Sequence, residues 1–386
     1  MRRISQSPTE AGFVQDPYPF YDKIRPLGPW VWWEEYGMPV ASSHALVHAV
    51  LRDRRVGREH PGGLSYPDRL APFYAIEAHS MLELEPPRHT RLRGLVLRAF
   101  TSRRINTLAP EISALCHTLI DAFPNEPFDL LTWYAQKLPV IIIARLLGVP
   151  EAMAPQLLSW SNAMVGMYQA GRSRAQEEAA CEAADAFSAF LTNYIAERRD
   201  SPGDDLITNL IAAEADGEKL STEELISTCI LLLNAGHEAT VHTLGNAVRT
   251  GLKTGIRPGD GPNFTEEVLR HDPPLHLFTR YAMEDVAIEG HRFQTGDQLG
   301  LLLAAANRDP QVFDRPERFD PHRAAKAHAS FGGGIHFCVG APLARLEIEA
   351  ALPILFARCP GLALHEEPRF ANLYHFHGLE TLIVTR

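Results

Sequence analysis

The chain has 386 residues, 45% of them hydrophobic and 22% charged, and its formal net charge is −10 at pH 7. This length and apolar content allow a large globular core, and the negative charge disfavours a nucleic-acid partner. Five cysteines without paired spacing are typical of reduced thiols in the cytoplasm. No apolar stretch follows the arginines at positions 2 and 3, and no run of about eighteen apolar residues occurs. We therefore expect a cytoplasmic protein without a signal peptide or a membrane span.

The predicted elements, in chain order, are a short β part, a long helical middle and a mixed final part. A strand over 40–43 leads into a helix over 44–52, and a long loop over 60–74 is of the kind that often carries function. Helices follow over 90–99, 105–122, 130–147, 152–166, 174–199 and 205–215, and strands over 286–288 and 298–303. No low-complexity linker divides the chain. We expect one domain over 1–386 that is mostly α with a minor β part.

The longest helix signal runs from residue 221 to about residue 249. Ser221 and Glu224 form a capping box at its start, and Gly251 predicts its end. Its centre is apolar on nearly every face, which indicates a buried helix.

Gly236 and Glu238 interrupt this apolar pattern. A glycine within a helix costs about 1 kcal/mol relative to alanine, and a buried glutamate costs several kcal/mol unless it is paired. Two interpretations fit these residues. The helix could surface there as a solvated bend, or it could open at Ala235 and Gly236 into a groove that receives a ligand beside an acid.

Cys338 lies between a triple-glycine turn at 332–334 and a helical run over 343–356. Glycine lets the backbone bend and approach a flat ligand. The start of a helix directs N–H groups and a positive dipole end at the sulfur, which favours the thiolate. On these residues alone, Cys338 is either a metal ligand or a nucleophile.

Four features follow one another in an order that is improbable by chance: the long helix, the Glu267-x-x-Arg270 pair, a Pro-x-Arg-Phe segment at 316–319, and Cys338 before a helix. An exposed pair such as Glu267 and Arg270 would contribute only about 0.2–0.5 kcal/mol. In this order, however, the features resemble the cytochrome P450 haem-thiolate monooxygenases, in particular the short bacterial ones, from Asp16 to the C-terminus. The resemblance implies the cytochrome P450 fold, a triangular helical prism with a long central helix over haem.

The resemblance also implies a role for each matching residue. Cys338 is the expected axial thiolate ligand of haem b iron, which it prepares for oxygen activation. The expected haem contacts are His89, Arg93, Ala235, Gly236, Arg280, Phe331, Gly332, His336 and Gly340. Four of them, His89, Arg93, Arg280 and His336, are expected to bind the propionates, because a buried dianion needs cationic partners. Glu267, Arg270 and Arg318 are expected to form a buried network that holds the cysteine loop.

The chain departs from the family pattern at Ala239, where relatives have the threonine that helps to deliver protons to bound oxygen. The expected catalytic group is therefore Glu238, Ala239 and Thr240, with proton delivery left to Glu238, water, Thr240 or a substrate hydroxyl. The retained acid argues against the related haem-thiolate peroxygenases. We also expect a loop over 253–262 where relatives have a helix, and a kink at Pro353.

The family's substrate contacts correspond to 60–76, 164–170, 232–240, 275–278 and 375–378. The candidate pocket residues are Met164, Met167, Tyr168, Leu233, Leu277, Phe278, Phe376 and His377. They are mostly apolar, which favours a small apolar or aromatic substrate, although each is equally compatible with a place in the core. His237 or His377 could hold a polar group of the substrate.

The expected partners are O2, a small-molecule substrate and a separate electron donor for a monomeric enzyme. Five arginines near one helix fit the docking of an acidic ferredoxin or flavodoxin: Arg88, Arg91, Arg98, Arg103 and Arg104. A run of charge is more often a solvated face. The alternatives are the same haem chemistry with oxidative coupling or desaturation, and a non-catalytic haem carrier or sensor.

Overall fold

The computed structural model describes residues 1–63, 65–169, 171–215, 218–324, 326–374 and 376–386. Its helices are α1 (Ala11–Gln15), α2 (Tyr18–Ile24), α3 (His44–Val50), α4 (Ala71–Glu77), α5 (Arg88–Ala99), α6 (Ser102–Thr107), α7 (Ala109–Asp121), α8 (Lys137–Leu147), α9 (Ala154–Val165), α10 (Arg174–Asp200), α11 (Leu206–Ala212), α12 (Thr222–Thr254), α13 (Phe264–His271), α14 (Leu303–Asn307) and α15 (Ala341–Arg358). The prediction of a mostly α-helical protein is confirmed. Within the described residues, no helix is long and apolar enough to cross a membrane.

The strands are short and form small sheets. They are β1 (Arg2–Ile4), β2 (Val31–Trp33), β3 (Met38–Ala41), β4 (Val56–Gly57), β5 (Phe128–Asp129), β6 (Glu214–Ala215), β7 (Glu218–Lys219), β8 (Leu277–Ala282), β9 (Val286–Ile288), β10 (His291–Phe293), β11 (Gln298–Leu302), β12 (Ala363–Leu364) and β13 (Ile383–Thr385). The largest sheet has the order β1-β2-β3-β11-β8-β4. Gly57 pairs with Tyr281 at its edge, so Arg58 and Arg280 come to lie side by side.

The long helix α12 begins where the sequence predicts, because the capping box of Ser221 and Glu224 is formed in both directions. Its predicted end is wrong. The helix passes through Gly251 and ends at Gly255, which has a left-handed φ of +76°. A Cβ at Gly251 would lie 3.2 Å from Cζ of Phe356. Gly251 therefore allows α15 to pack closely, and does not act as a stop.

Several predicted boundaries in the helical middle also shift. The helix predicted over 105–122 is divided into α6 and α7, with Pro110 in the first turn of the second helix. The helix predicted over 130–147 begins as a π-helical turn over Leu131–Ala135. The loop predicted over 60–74 is shorter, because α4 begins at Ala71. The expected loop before α13 is confirmed from residue 255 onwards, and α15 remains helical through Pro353.

Candidate active site

Cys338 lies in the short connection between a 3₁₀ turn, Gly334–His336, and α15. Burial raises the pKa of its thiol, and the amides of Gly340 and Ala341 together with nearby arginines lower it only in part. The helix start thus acts on the sulfur in the predicted direction, but burial outweighs it. A protonated thiol is a poor nucleophile, whereas a coordinated metal ion deprotonates such a thiol outright.

The turn before Cys338 depends on glycine. Gly332 and Gly334 both have φ of +67°, and a Cβ at Gly334 would overlap the backbone oxygen of Leu51. The amide of Cys338 donates to the backbone oxygen of Phe331 at 3.0 Å. The triple-glycine sequence therefore folds into one closed turn that fixes the position of the sulfur.

Asn307 anchors the beginning of this loop, a role that the sequence analysis missed. Its side chain is fully buried. Oδ1 accepts the amide of Ala329 at 2.6 Å, and Nδ2 donates to Oγ of Ser330 at 2.8 Å. The Ser330 hydroxyl donates in turn to the backbone oxygen of Leu269 at 2.7 Å. The only sequence signal was a polar residue directly after a fully apolar stretch, 299–306.

Glu267 and Arg270 form the predicted pair. Two nitrogens of Arg270 each lie 2.7 Å from an oxygen of Glu267, and both side chains are 3% exposed. Arg270 also donates to the backbone oxygens of Asn307 and Pro316. The pair therefore joins α13 to the segment that precedes the cysteine loop.

The prediction that Arg318 is the third member of this network is wrong. Its side chain is 65% exposed, and only its backbone oxygen accepts from Arg270. Arg323 takes the place, with Nε 3.3 Å from Oε1 of Glu267. At residue 318 the backbone, and not the side chain, faces Arg270. The chain then turns at Asp320, whose amide donates to Glu267. The side chain of Arg323, five residues after Arg318, therefore faces Glu267.

The predicted propionate partners His89 and Arg280 are buried, each 2% exposed. Neither ring nitrogen of His89 has a hydrogen-bond partner within the described residues, and burial lowers the pKa of the ring to about 4. The guanidinium of Arg280 donates to its neighbour's backbone oxygen, that of Thr279, at 2.8 Å. Burial, together with the nearby charge of Arg58, lowers the pKa of Arg280 to about 9.

The other two predicted partners are close to the same place. The ring of His336 lies 4.4 Å from that of His89, and its Nε2 lies 2.8 Å from a carboxylate oxygen of Glu85. Arg93 donates to the backbone oxygen of Phe337 at 2.6 Å. The charge of Arg280 acts on His336, and that of Cys338 acts on Arg93. The structure thus brings the four residues together near the cysteine loop.

These residues fit a haem group. Burying a guanidinium and an imidazole without an anionic partner is costly, and two anionic propionates would supply partners of the right charge. On the helix α12, Ala235 is exposed although the neighbouring Leu233 and His237 are buried. A Cβ at Gly236 would make only an ordinary contact with Ile143, at 3.6 Å. The helix shows an open face at Ala235, without a break in the helical structure.

The three predicted catalytic positions differ in what they offer. The hydroxyl of Thr240 donates to the backbone oxygen of Gly236 at 3.3 Å, so its proton is already used in a hydrogen bond within the helix. Ala239 has no polar side-chain atom. Glu238 lies between two imidazoles, with its carboxylate oxygens 3.1 Å from Nε2 of His237 and 3.2 Å from Nε2 of His242. Burial raises the pKa of Glu238, but the two histidines outweigh it and hold the pKa well below the usual value.

The predicted pocket segments converge in part. Leu275 and Phe376 form an antiparallel bridge between the segment before β8 and the C-terminal turn. The aromatic edge of Phe278 faces the turn at Gly332. The hydroxyl of Tyr168 donates to Glu77 at 3.2 Å. Met164, Met167, Leu233 and Leu277 are buried in core clusters, and residues 64, 170 and 375 of the predicted segments lie outside the described residues.

His237 and His377, predicted to hold a polar group of the substrate, are engaged elsewhere. His377 is stacked on Phe370 with ring centroids 3.8 Å apart, and its Nε2 lies 3.5 Å from Asp272. His237 is fully buried, with Nδ1 3.1 Å from the backbone oxygen of Leu233. Both histidines are therefore better described as internal supports than as substrate contacts.

The fold and these residues define a class of protein, the haem-thiolate enzymes. The sequence profile described as "Cytochrome P450" matches residues 262–368. The chain is 36% identical to the cytochrome P450 monooxygenase PikC of Streptomyces venezuelae over 373 residues, which cover 92% of this chain and 87% of that protein. It is 38% identical to the polyketide biosynthesis cytochrome P450 PksS of Bacillus subtilis (strain 168) over 317 residues, 79% of this chain and 77% of that protein.

Solved structures agree with these sequence comparisons. The crystal structure of P450BioI in complex with acyl carrier protein ligated to hexadec-9Z-enoic acid superposes with a TM-score of 0.91, at 33% identity and over 98% of this chain and 100% of that chain. The chain belongs to the cytochrome P450 family. It is a monooxygenase of the bacterial type, an oxidoreductase, and the family implies a haem-thiolate iron cofactor, O2 and a redox partner.

Proposed function

We propose that this enzyme inserts one oxygen atom from O2 into a small, mostly apolar organic substrate, with electrons from a separate ferredoxin and its reductase. The observation that carries the proposal is the placement of Cys338 beside four groups suited to propionates, two of them buried without an anionic partner within the described residues. Haem b, when bound, supplies oxygen activation. The protein is proposed to act as a cytoplasmic monomer with one domain over 1–386.

The chain's own residues hold and orient the cofactor. Cys338 would ligate the iron, and His89 and Arg280, with Arg93 and His336, would neutralise the propionates. The contacts of Asn307 fix the beginning of the cysteine loop, and the pair of Glu267 and Arg270 fixes the segment that precedes it. On α12, Glu238 is the ionised group that would take up and pass on protons, because Thr240 donates to backbone and Ala239 carries no hydroxyl.

The apolar character of the candidate pocket supports an apolar substrate. Phe278 and Phe376 are aromatic, and the methionines at 164 and 167 are adaptable side chains that tolerate varied shapes. One relative is named for polyketide biosynthesis, and one structural neighbour is titled as a complex with a carrier protein that bears a long hydrocarbon acid. The hydrocarbon acid in that title agrees with a mostly apolar substrate.

The side of α5 near Cys338 offers a surface for the electron donor. Arg88, Arg98 and Arg103 are exposed, whereas Arg91 and Arg104 are held in ion pairs with Glu224 and Asp204. Two large apolar side chains are exposed nearby in sequence, Leu97 at 46% and Phe337 at 42%. A basic rim around apolar residues suits an acidic ferredoxin or flavodoxin.

The proposal is tested on the purified haem protein. We expect the reduced, CO-bound spectrum to show the thiolate-shifted Soret band, and we expect Cys338→Ser to lose that band while the fold is retained by circular dichroism. A panel of apolar ligands should shift the haem from low to high spin. Turnover with a surrogate ferredoxin pair then separates an enzyme from a carrier or sensor, and a wild-type protein without the shifted band would refute the proposal.

A second outcome of the same chemistry, oxidative coupling or desaturation, is favoured by one observation, the alanine at position 239. Mass spectrometry of the product distinguishes the outcomes. Gain of one oxygen atom supports monooxygenation, whereas loss of two hydrogens, or joining of two substrate rings, supports the second.

A further inference from the structure

The carboxylate of Glu238 is held by a histidine that has no place in the expected catalytic group. Nε2 of His242, one helical turn along α12, lies 3.2 Å from Oε1 of Glu238 and makes a hydrogen bond with it. An ionised carboxylate only accepts, so Nε2 of His242 carries the proton and donates it. The pKa of Glu238 is held low in part by this bond.

The other side of the His242 ring supports the C-terminal turn. A Cβ at Gly378 would overlap Nδ1 of His242, so the backbone of the turn rests directly on the ring. Nδ1 is buried and has no hydrogen-bond partner within the described residues. Only glycine at position 378 leaves space for the imidazole in this position.

The C-terminal turn is itself fixed to α12. Nδ2 of Asn246, one turn beyond His242, donates to the backbone oxygen of His377 at 2.9 Å and to that of Asp272 at 3.3 Å. The amide of His377 donates to the backbone oxygen of Pro274 at 2.7 Å. Neither the turn nor the imidazole can therefore shift alone. The turn also carries Phe376, whose ring centroid lies 6.0 Å from that of His242.

We propose that His242 is the positioning residue for Glu238, and that the C-terminal turn fixes the acid's orientation by pressing on His242 through Gly378. This inference rests on the proposed function and deepens it. Because Ala239 offers no hydroxyl, proton delivery depends on where the Glu238 carboxylate is held. Because Phe376 lies on the same turn, a substrate that displaces the turn would alter the position of the acid.

Several charged and titratable groups of the described residues lie around this pair. Glu238 faces His237 and His242 from its own helix, and His237 is in turn 3.4 Å from Oγ of Ser161 on α9. His242 faces Glu238 and, from the C-terminal turn, His377. Arg249 and Arg308 lie behind His377 and lower its pKa, after burial, which is the main cause. Removing His242 takes away one of the two imidazoles that hold the pKa of Glu238 low, so the pKa of Glu238 should rise.

The test is a double-mutant cycle of His242→Ala and Gly378→Ala on the holoenzyme. Each single variant should lower the melting temperature of the ferric protein, because one removes the ring and the other forces it aside. The double variant should be no less stable than His242→Ala alone, since the added methyl group enters the space that the ring has left. Gly94→Ala is the matched control, because a Cβ at that helical glycine meets nothing within 4 Å.

The functional readout is coupling, the fraction of NAD(P)H that yields product, measured at neutral pH. Both single variants should lower coupling, because the ring of His242 no longer holds the Glu238 carboxylate in place. His242→Gln, which can still donate to Glu238, should keep more of the coupling than His242→Ala. A merely structural role would lower stability and leave the coupling of the folded enzyme unchanged.

Two results would overturn the inference: strictly additive losses of stability in the double variant, or wild-type coupling in His242→Ala. The thermal cycle needs no turnover. It therefore tests the contact even if the proposed monooxygenation fails, while an intact thiolate-shifted CO band in every variant shows that the haem site is unaffected.

Discussion

At the scale of the residue, the site depends on a few buried charges whose partners are specific. Glu267 is satisfied by Arg270 and Arg323. Within the described residues, the ring of His89 has no hydrogen-bond partner, and Arg280 donates only to a backbone oxygen. Losing one partner of a buried ion pair leaves the other charge uncompensated. A residue that looks equivalent in sequence but points outward contributes little.

The arginines at 318 and 323 make this contrast measurable. Arg323→Ala should lower the free energy of unfolding by about 3 kcal/mol, because Glu267 loses a partner whose side chain is only 11% exposed. Arg318→Ala should change it by less than about 0.5 kcal/mol, since the exposed side chain makes only a loose ion pair with Glu317, at 3.9 Å. Denaturant unfolding of the two ferric variants measures both values. An equal loss of unfolding free energy in the two variants would show that the side chain of Arg318 does belong to the network.

At the scale of the element, the cysteine loop is positioned by glycine conformation as much as by hydrogen bonds. Gly334→Ala should reduce the fraction of protein that shows the thiolate-shifted CO band, because the new Cβ overlaps the backbone of Leu51 and the loop must move. Gly37→Ala is the matched control. Its φ of +60° imposes a similar backbone strain, of about 1–2 kcal/mol, in open space. Equal loss of the band in both variants would show that strain, and not the overlap, is responsible.

The same elements show what the sequence can predict. The start of α12, the glycine turn and the pair of Glu267 and Arg270 are encoded by neighbouring residues, and these predictions are confirmed. The end of α12 could not be predicted, because Gly251 is required by Phe356, more than a hundred residues away in the chain. The contact of His242 with Gly378 is equally remote in sequence. Local patterns carry no information about such packing.

At the scale of the whole molecule, an acidic protein with a net charge of −10 carries an exposed basic group along α5 and α6. Exchanging Arg98 and Arg103 together for glutamate should raise the KM for an acidic ferredoxin roughly tenfold at low salt and weaken its dependence on ionic strength. The substrate-induced spin shift should stay unchanged, because the pocket is not altered. Arg174→Glu, an exposed arginine on α10, is the control. A similar rise in KM for that variant would indicate a general charge effect and not a docking surface.

The hydrogen bond between Tyr168 and Glu77 has a consequence for the surroundings of a substrate. Burial, reinforced by the nearby Glu83, raises the pKa of Glu77 to about 8, although Tyr168 and Arg58 act in the opposite direction. This shift favours the protonated, uncharged form of the carboxyl group. Beside the predicted pocket residue Tyr168, a hydrocarbon chain would then lie against a neutral carboxyl group, and the charge of that group would increase as the pH rises.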